Sequence, residues 1–260
     1  MGKAIIAIKL GRGKREVHYN ASIHANEWIT AVLMIKFIMD CVGILEAESG
    51  FYKGYDLHGL LQETTVWFVP LLNPDGVELV LDGLKQGHSI ESQLFEWNHR
   101  STDFSEWKAN IRGVDLNDQF PAFWEDERNR REVSKPGPRN YSGPEPLSEP
   151  EAKAIAAFTL KHDFALVISL HTQGEEIYWN YRGYEPLNAA EIAERFAAES
   201  GYQAVYITDS DAGYKDWFIQ QFRRPGFTVE AGYGKNPLPI EQLENIYEKV
   251  SKILLLGLEK

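Results

Sequence analysis

The sequence predicts an α/β fold, a mixed and largely parallel central sheet flanked by helices. Three observations predict it. Apolar runs rich in β-branched residues alternate with longer segments of helical period, the pattern that layers helices on a sheet. Two of these runs, residues 65–72 (TVWFVPLL) and 164–170 (FALVISL), are apolar without a break, as strands covered on both faces are. Three residues able to do chemistry, His24, His171 and Glu230, each close an apolar run. Ligands of open α/β sheets collect beyond the carboxyl ends of the strands.

Taken in order, residues 3–10 read as a strand through Ile5, Ile6 and Ile8, residues 11–14 as a turn, and 16–23 as a second strand. The loop 24–27 follows directly. Residues 28–45 carry Ile29, Val32, Leu33, Ile35, Phe37, Ile38 and Val42, an apolar helix suited to packing on a sheet. The buried strand 65–72 ends in Asn73-Pro74-Asp75-Gly76, which is turn chemistry. Residues 85–108 are polar and irregular and read as a long surface loop. Residues 125–146 are charged, rich in Pro and Gly, without apolar period, and read as a second long loop. Ser148 opens a helix with acids in its first turn and Pro150 tolerated there. After the strand 164–170, a short strand is expected at 176–179, an amphipathic helix at 186–200 and a helix at 213–222. A strand at 226–229 and a closing helix at 240–258 complete the chain, with no internal repeat.

Composition narrows the partners. The 260 residues are 43% hydrophobic and 25% charged, which fits an ordinary soluble globular chain. Lys and Arg number 27 against 38 Asp and Glu, a net charge of 27 − 38 = −11. That argues against nucleic acid or an anionic membrane as partner, since both want a basic face. It also makes any cation close to a site more telling. The one cysteine, Cys41, lies in the apolar helix and reads as a small buried hydrophobe. No apolar run reaches the length of a membrane span, and residues 1–14 lack the pattern of a secretory signal. The expected compartment is therefore cytoplasmic, or the cell wall if the chain is part of a longer protein. Oligomeric state is not readable.

The chemistry starts from His24-Ala25-Asn26-Glu27. An imidazole and a carboxylate three residues apart, where a strand ends, can close on one metal ion. Catalytic zinc sites often use two His and one Glu, and His171 supplies the third ligand from a distant strand end. Zinc held this way polarises a carbonyl and lowers the pKa of water to about 7. Glu230 then reads as a general base and Arg112 as the partner of the developing oxyanion, together a metal-assisted amide hydrolase. Each residue alone has a plainer reading: a buried histidine bonded to backbone, or a cap or salt bridge for Glu230. Asp115 reads equally as support for a neighbour or as a turn residue. His18, His58, His88, His99 and His162 read as surface residues, and Arg223 and Arg224 as a solvated pair. Trp97, Trp107, Phe120, Phe123 and Trp124 read as loop packing, with sugar stacking as the alternative.

His24-Ala25-Asn26-Glu27-Trp28-Ile29-Thr30, Asn73-Pro74-Asp75-Gly76, Gly113-Val114-Asp115-Leu116-Asn117, Ser169-Leu170-His171-Thr172 and Phe227-Thr228-Val229-Glu230 resemble, in order, the motifs of the zinc carboxypeptidases of the carboxypeptidase A type. The resemblance implies an α/β/α sandwich, one zinc on His24, Glu27 and His171, and Glu230 as general base. It spans most of the chain, so one catalytic domain over 1–260 is expected, lacking the family's first helix and strand. Trp107-Lys108-Ala109-Asn110, Gly213-Tyr214-Lys215-Asp216-Trp217-Phe218, Arg223-Arg224-Pro225-Gly226-Phe227 and Gly234-Lys235-Asn236-Pro237-Leu238-Pro239 resemble the bacterial γ-D-glutamyl-L-diamino-acid endopeptidases. These cut the γ-D-glutamyl–diaminopimelate bond of peptidoglycan stem peptides. Asn117, Asp118, Thr172 and Tyr214 become the candidate substrate contacts.

The departures from the family's pattern sharpen the expectation. An arginine that grips the substrate's terminal carboxylate usually follows the Asn, and here Asp118 stands there. We expect Asp118 to meet an ammonium group such as that of diaminopimelate. The first motif's arginine is replaced by Asn26, and the family's catalytic-loop tyrosine would fall on Ile219, with Tyr214 nearby. The alternatives are a zinc deacylase of N-acyl amino acids on the same fold, and a non-catalytic peptide-binding module.

Overall fold

A computed structural model describes residues 2–47, 50–84 and 89–260. The strands are β1 (Ile8–Leu10), β2 (Arg15–Ala21), β3 (Phe51–Tyr52), β4 (Tyr55–Asp56), β5 (Thr64–Val69), β6 (Phe164–His171), β7 (Glu176–Tyr178), β8 (Gln203–Val205) and β9 (Gly226–Glu230). The helices are α1 (Ile29–Glu46), α2 (Leu57–Glu63), α3 (Pro74–Asp82), α4 (Glu91–Trp97), α5 (Trp124–Arg131), α6 (Pro150–Lys161), α7 (Ala189–Ser200), α8 (Tyr214–Phe222) and α9 (Leu243–Leu256). Among the described residues, seven strands form one sheet in the order β1-β5-β2-β6-β9-β7-β8, and β3 pairs with β4 as a separate hairpin. The centre is parallel: β2 pairs with β5 and β6, and β6 with β9. β1 on β5 and β7 on β9 run antiparallel, which makes the sheet mixed.

Alternation along the strands builds the layers. Val17, Tyr19 and Ala21 of β2 and Leu166, Ile168 and Leu170 of β6 point to one face. There they meet α1, α2, α7 and α9. Phe164 and Val167 look the other way, onto α6 and α8 through Ile155, Tyr214 and Phe218. The helix α1 reaches the sheet through Ile29, Leu33, Met34, Phe37, Ile38 and Cys41, one stripe at helical spacing. The result is an α/β/α sandwich. Among the described residues no helix is long and apolar enough to cross a membrane.

Several expectations are corrected. β1 covers only Ile8–Leu10, and β2 stops at Ala21, because Ser22 leaves the ladder at φ 50° and donates its N–H to Thr30 Oγ1. Asn73 does not open a simple turn. Its Oδ1 accepts from the Gly76 N–H and caps α3, with Pro74 in the first turn, where its missing N–H costs nothing. The expected surface loop over 85–108 holds α4 and a small apolar core of Leu94, Phe104 and Trp107 against Ala25, Val77 and Leu79. Residues 85–88, including His88, lie outside the described residues. α5 occupies the start of the expected loop 125–146; charged residues dominate it, so no apolar stripe announced it. The hairpin β3–β4, α2 and β8 were not anticipated. His18 is not a surface residue. It is fully buried, stacked on Phe164 and bonded through Nδ1 to the Trp67 carbonyl, and burial pulls its pKa down to about 3. His58 and His99 are exposed, and His162 is half-buried against Glu16.

Candidate metal centre and active site

The carboxyl edge of the parallel strands gathers the chemistry. β6 ends on His171 and β9 on Glu230, and register sets these two residues side by side. Beyond the end of β2, His24 precedes a one-turn 3-10 helix, Ala25–Glu27, whose first N–H donates to the Lys108 carbonyl. That turn swings Glu27 back toward His24. The Nδ1 of His24 lies 2.9 Å from Glu27 Oε1 and 3.1 Å from His171 Nδ1, and His171 Nδ1 lies 3.1 Å from Glu27 Oε2. Ligand-type atoms of all three buried residues fall within 4.8 Å of one another.

These residues fit a zinc ion. Two imidazole nitrogens 3.1 Å apart are near the spacing of two ligands on one ion with bonds of about 2.1 Å. Nitrogen and carboxylate oxygen are the donor set of such sites. Burial alone would raise the Glu27 pKa, yet the two imidazoles outweigh it and hold Glu27 well below the usual carboxylate range. Burial disfavours charge on His24 too, but Glu27 and Asp115 raise it to about 9, so an incoming ion displaces a proton there. Burial lowers His171.

A second layer orients the first. The fully buried Asp115 sets Oδ1 3.3 Å from His24 Nε2 and Oδ2 2.8 Å from Lys108 Nζ. It also accepts the N–H groups of Asn117 and Asn140. Asp115 is thus both the cap of its turn and the support of a candidate ligand. The Thr172 N–H donates to Glu27 Oε2, and the Thr172 hydroxyl donates to Asn236 Oδ1. Burial, and then the charge of Glu27, push Glu230 up to about 8, against the pull of His24 and Lys108. A bound dication would add positive charge and lower it.

Other predicted residues sit elsewhere. Arg112 does not join the group: its side chain is 58% exposed and its Nε lies 3.4 Å from Glu149 Oε2. The backbone turn explains this, since Asn110 Oδ1 accepts the N–H groups of Arg112 and Val114 and directs residue 112 outward. Tyr214 is fully buried and its hydroxyl is 2.8 Å from Thr159 Oγ1, so it offers nothing to a substrate. Asn117 is half-buried and its Oδ1 accepts the Tyr214 N–H. Asp118 is 2% exposed and already engaged by Arg131, whose Nε and Nη2 donate to it at 3.1 and 3.3 Å. That leaves no free carboxylate for a substrate ammonium. Arg223 is exposed, as expected, and lies over the Tyr184 ring, while Arg224 is partly exposed and donates to the Phe164 carbonyl, so the solvated pair also has anchoring contacts. The aromatic residues divide: Trp97 packs and Trp107 is buried in the small core, Phe120 lies under α8, and Trp124 is buried.

The sequence reading missed Lys108. Its charge is felt by His24, Glu27, His171 and Glu230, where Arg112 was expected. The available signal was a lysine directly after a tryptophan in a chain of net charge −11.

A buried His, Glu, His centre at the carboxyl edge of a mixed α/β sheet, with a further glutamate on the adjoining strand, defines a metallohydrolase-type site. Residues 2–252 match the model of the zinc carboxypeptidases, and the chain belongs to that family. It is 47% identical over 258 residues to γ-D-glutamyl-L-diamino acid endopeptidase 1 of Lysinibacillus sphaericus, covering 99% of this chain and 65% of that protein. It is 42% identical over 258 residues to the uncharacterized protein YqgT of Bacillus subtilis (strain 168), covering 98% and 68%. The chain thus spans about two thirds of the length of these relatives. Among solved structures, thrombin activatable fibrinolysis inhibitor superposes with a TM-score of 0.73 at 20% identity, covering 98% of this chain and 65% of that one. Murein-tripeptide amidase MpaA from Escherichia coli O157 gives 0.56 at 19%, covering 95% and 82%. At these identities the likeness is one of fold.

Proposed function

We propose that this chain is a zinc metallopeptidase that hydrolyses the γ-D-glutamyl–diaminopimelate bond of peptidoglycan stem peptides. The observation that carries the chemistry is the convergence of His24, Glu27 and His171 beside Glu230 in a chain of this family. The substrate class rests on the 47% identity to an endopeptidase named for a γ-D-glutamyl-L-diamino acid bond, and diaminopimelate is the diamino acid we propose.

His24, Glu27 and His171 hold the zinc, and Asp115 and the Thr172 N–H keep His24 and Glu27 turned toward it. Zinc, when bound, supplies a Lewis acid and a means of lowering the pKa of water. Glu230 takes the proton of the attacking water and passes it to the leaving amine. Lys108, tethered by Asp115, holds the carbonyl oxygen as negative charge develops on it. Losing such a donor costs on the order of 3 kcal/mol of barrier.

The test is mass spectrometry of zinc-loaded protein with L-Ala-γ-D-Glu-meso-diaminopimelate and, separately, with a blocked C-terminal dipeptide. Release of diaminopimelate is expected, with Glu230→Gln slower by about 10²- to 10⁴-fold. Cleavage of the dipeptide alone would keep the peptidase and discard the substrate. No cleavage by folded, zinc-loaded protein would turn the reading to a deacylase or a binding module.

A further inference from the structure

We propose that Lys235 and Arg139 bind the free α-carboxylate of the γ-linked glutamyl residue, and that the exposed carboxylate of Glu106 gives way to it. This deepens the peptidase reading above and rests on it.

Hydrogen bonds fix the backbone of both cations beside the metal centre. For Lys235 the anchor is its neighbour Asn236, which clasps Thr172, the residue after His171. The Thr172 hydroxyl donates to Asn236 Oδ1 at 2.7 Å, and Asn236 Nδ2 donates to the Thr172 carbonyl at 2.8 Å. The Thr172 N–H in turn donates to Glu27 Oε2 at 3.3 Å. On the other side of Lys235, the Gly234 N–H donates to Gln173 Oε1 at 3.2 Å. Arg139 stands between two residues bonded into the centre. The Pro138 carbonyl accepts the Lys108 N–H at 2.9 Å, and the Asn140 N–H donates to Asp115 Oδ2 at 3.1 Å. That same Asp115 reaches His24 Nε2 and Lys108 Nζ.

The two cations converge on one residue. The Lys235 ammonium pairs with the Glu106 carboxylate, and Arg139 Nη2 donates to the Glu106 carbonyl at 3.0 Å. Glu106 lies two residues before Lys108, a span of at most about 7 Å along the chain. A carboxylate is thus the group this place already receives, one short step from the cation that faces the scissile carbonyl. The pair is open to exchange: the Lys235 and Glu106 side chains are 82% and 55% exposed, and such a pair stabilises little. Asp118, buried and held by two bonds from Arg131, has no such freedom. Arg139 is exposed and, among the described residues, meets a carbonyl but no carboxylate, so its planar fork keeps donors for one. A γ-linked glutamyl residue carries its free carboxylate three carbons from the scissile carbonyl; an α-linked residue spends that carboxylate on the peptide bond. A groove of about 640 Å³ between residues 97–106 and 133–140 has Glu106 and Arg139 in its wall. It gives the acyl part of the peptide room to continue past the glutamyl residue.

The test compares L-Ala-γ-D-Glu-meso-diaminopimelate with the same peptide amidated at the glutamyl α-carboxylate. The wild type is expected to favour the acid by about 10- to 100-fold in kcat/KM, the size of a charged hydrogen bond. Lys235→Ala/Arg139→Ala is expected to bring that ratio to within about 3-fold of one. A general loss of structure would lower acid and amide together and leave the ratio standing. Glu106→Gln removes the competing carboxylate and is expected to raise the ratio by about 2- to 5-fold. A ratio kept in the double variant, or absent in the wild type, overturns the proposal. A ratio lowered in Glu106→Gln overturns the part given to Glu106. If the wild type cleaves neither peptide, the peptidase reading falls. Calorimetric binding of both peptides to the wild type and to the double variant then decides the subsite by the same ratio, and binding of neither overturns it as well.

Discussion

The strand ends and the loop segments on either side of α5 both deliver side chains to the candidate site, by different means. His171 and Glu230 are held by the parallel ladder of β6 and β9, and His24 by the turn beyond β2. Ladder hydrogen bonds join backbone to backbone, so these positions depend little on which side chains the strands carry. The loop side has no ladder. The Pro138 carbonyl accepts the N–H groups of Lys108 and Ala109, and Asn110 Nδ2 donates to Glu149. Asp115 accepts from Asn117, Asn140 and Lys108. Here particular polar side chains hold particular backbone groups, so one substitution can move a functional group without unfolding the sheet.

Substitutions can break this comparison or sharpen it. The largest effect is expected at the strand ends. His171→Ala should lose tightly bound zinc, measured by metal analysis after gel filtration, while the wild type keeps one ion per chain. Zinc uptake by the wild type should strengthen as pH rises toward 9. The His24 pKa is raised, so a proton competes with the ion below that pH; uptake that does not change between pH 6 and 8 would contradict the proton's place. Lys108→Ala should keep its zinc and its fold but lose about 10²- to 10³-fold in kcat, read by steady-state kinetics with circular dichroism as the control. An unchanged kcat would mean that the loop side only frames the site. The smallest effect is expected for Arg112→Ala, within about 3-fold of wild type, because its side chain points to Glu149 and solvent. A loss as large as that of Lys108→Ala would return the oxyanion role to residue 112.

What was legible in the sequence follows the same division. The runs at β5 and β6, the stripe of α1 and the strand ends at 171 and 230 could be read because burial writes itself as apolar periodicity, while the strand expected to run to residue 23 stops at Ala21. α5 and α4 were read as loops: the first is charged nearly throughout, and the second buries only Leu94. β8 is three residues long, too short for any period to appear. His18 was misplaced because a histidine on a strand gives no sign of whether aromatic rings will cover it.

Residue identity and apolar period by themselves determined a mixed sheet flanked by helices and placed His24, His171 and Glu230 at or beyond the ends of apolar runs, because each follows from a local pattern; the α/β/α sandwich and the grouping of Glu27 with the two histidines came from the family resemblance. Tertiary structure decided which cations face that set. Lys108 and Arg112 are four residues apart and both carry positive charge; only the folded turn, held by Asn110 and Pro138, sends one inward and the other out. Asp118 carried no hint of its partner, because Arg131 reaches it from another element. Charge is written in the sequence, but the direction in which it points is set by contacts between segments that the sequence keeps apart.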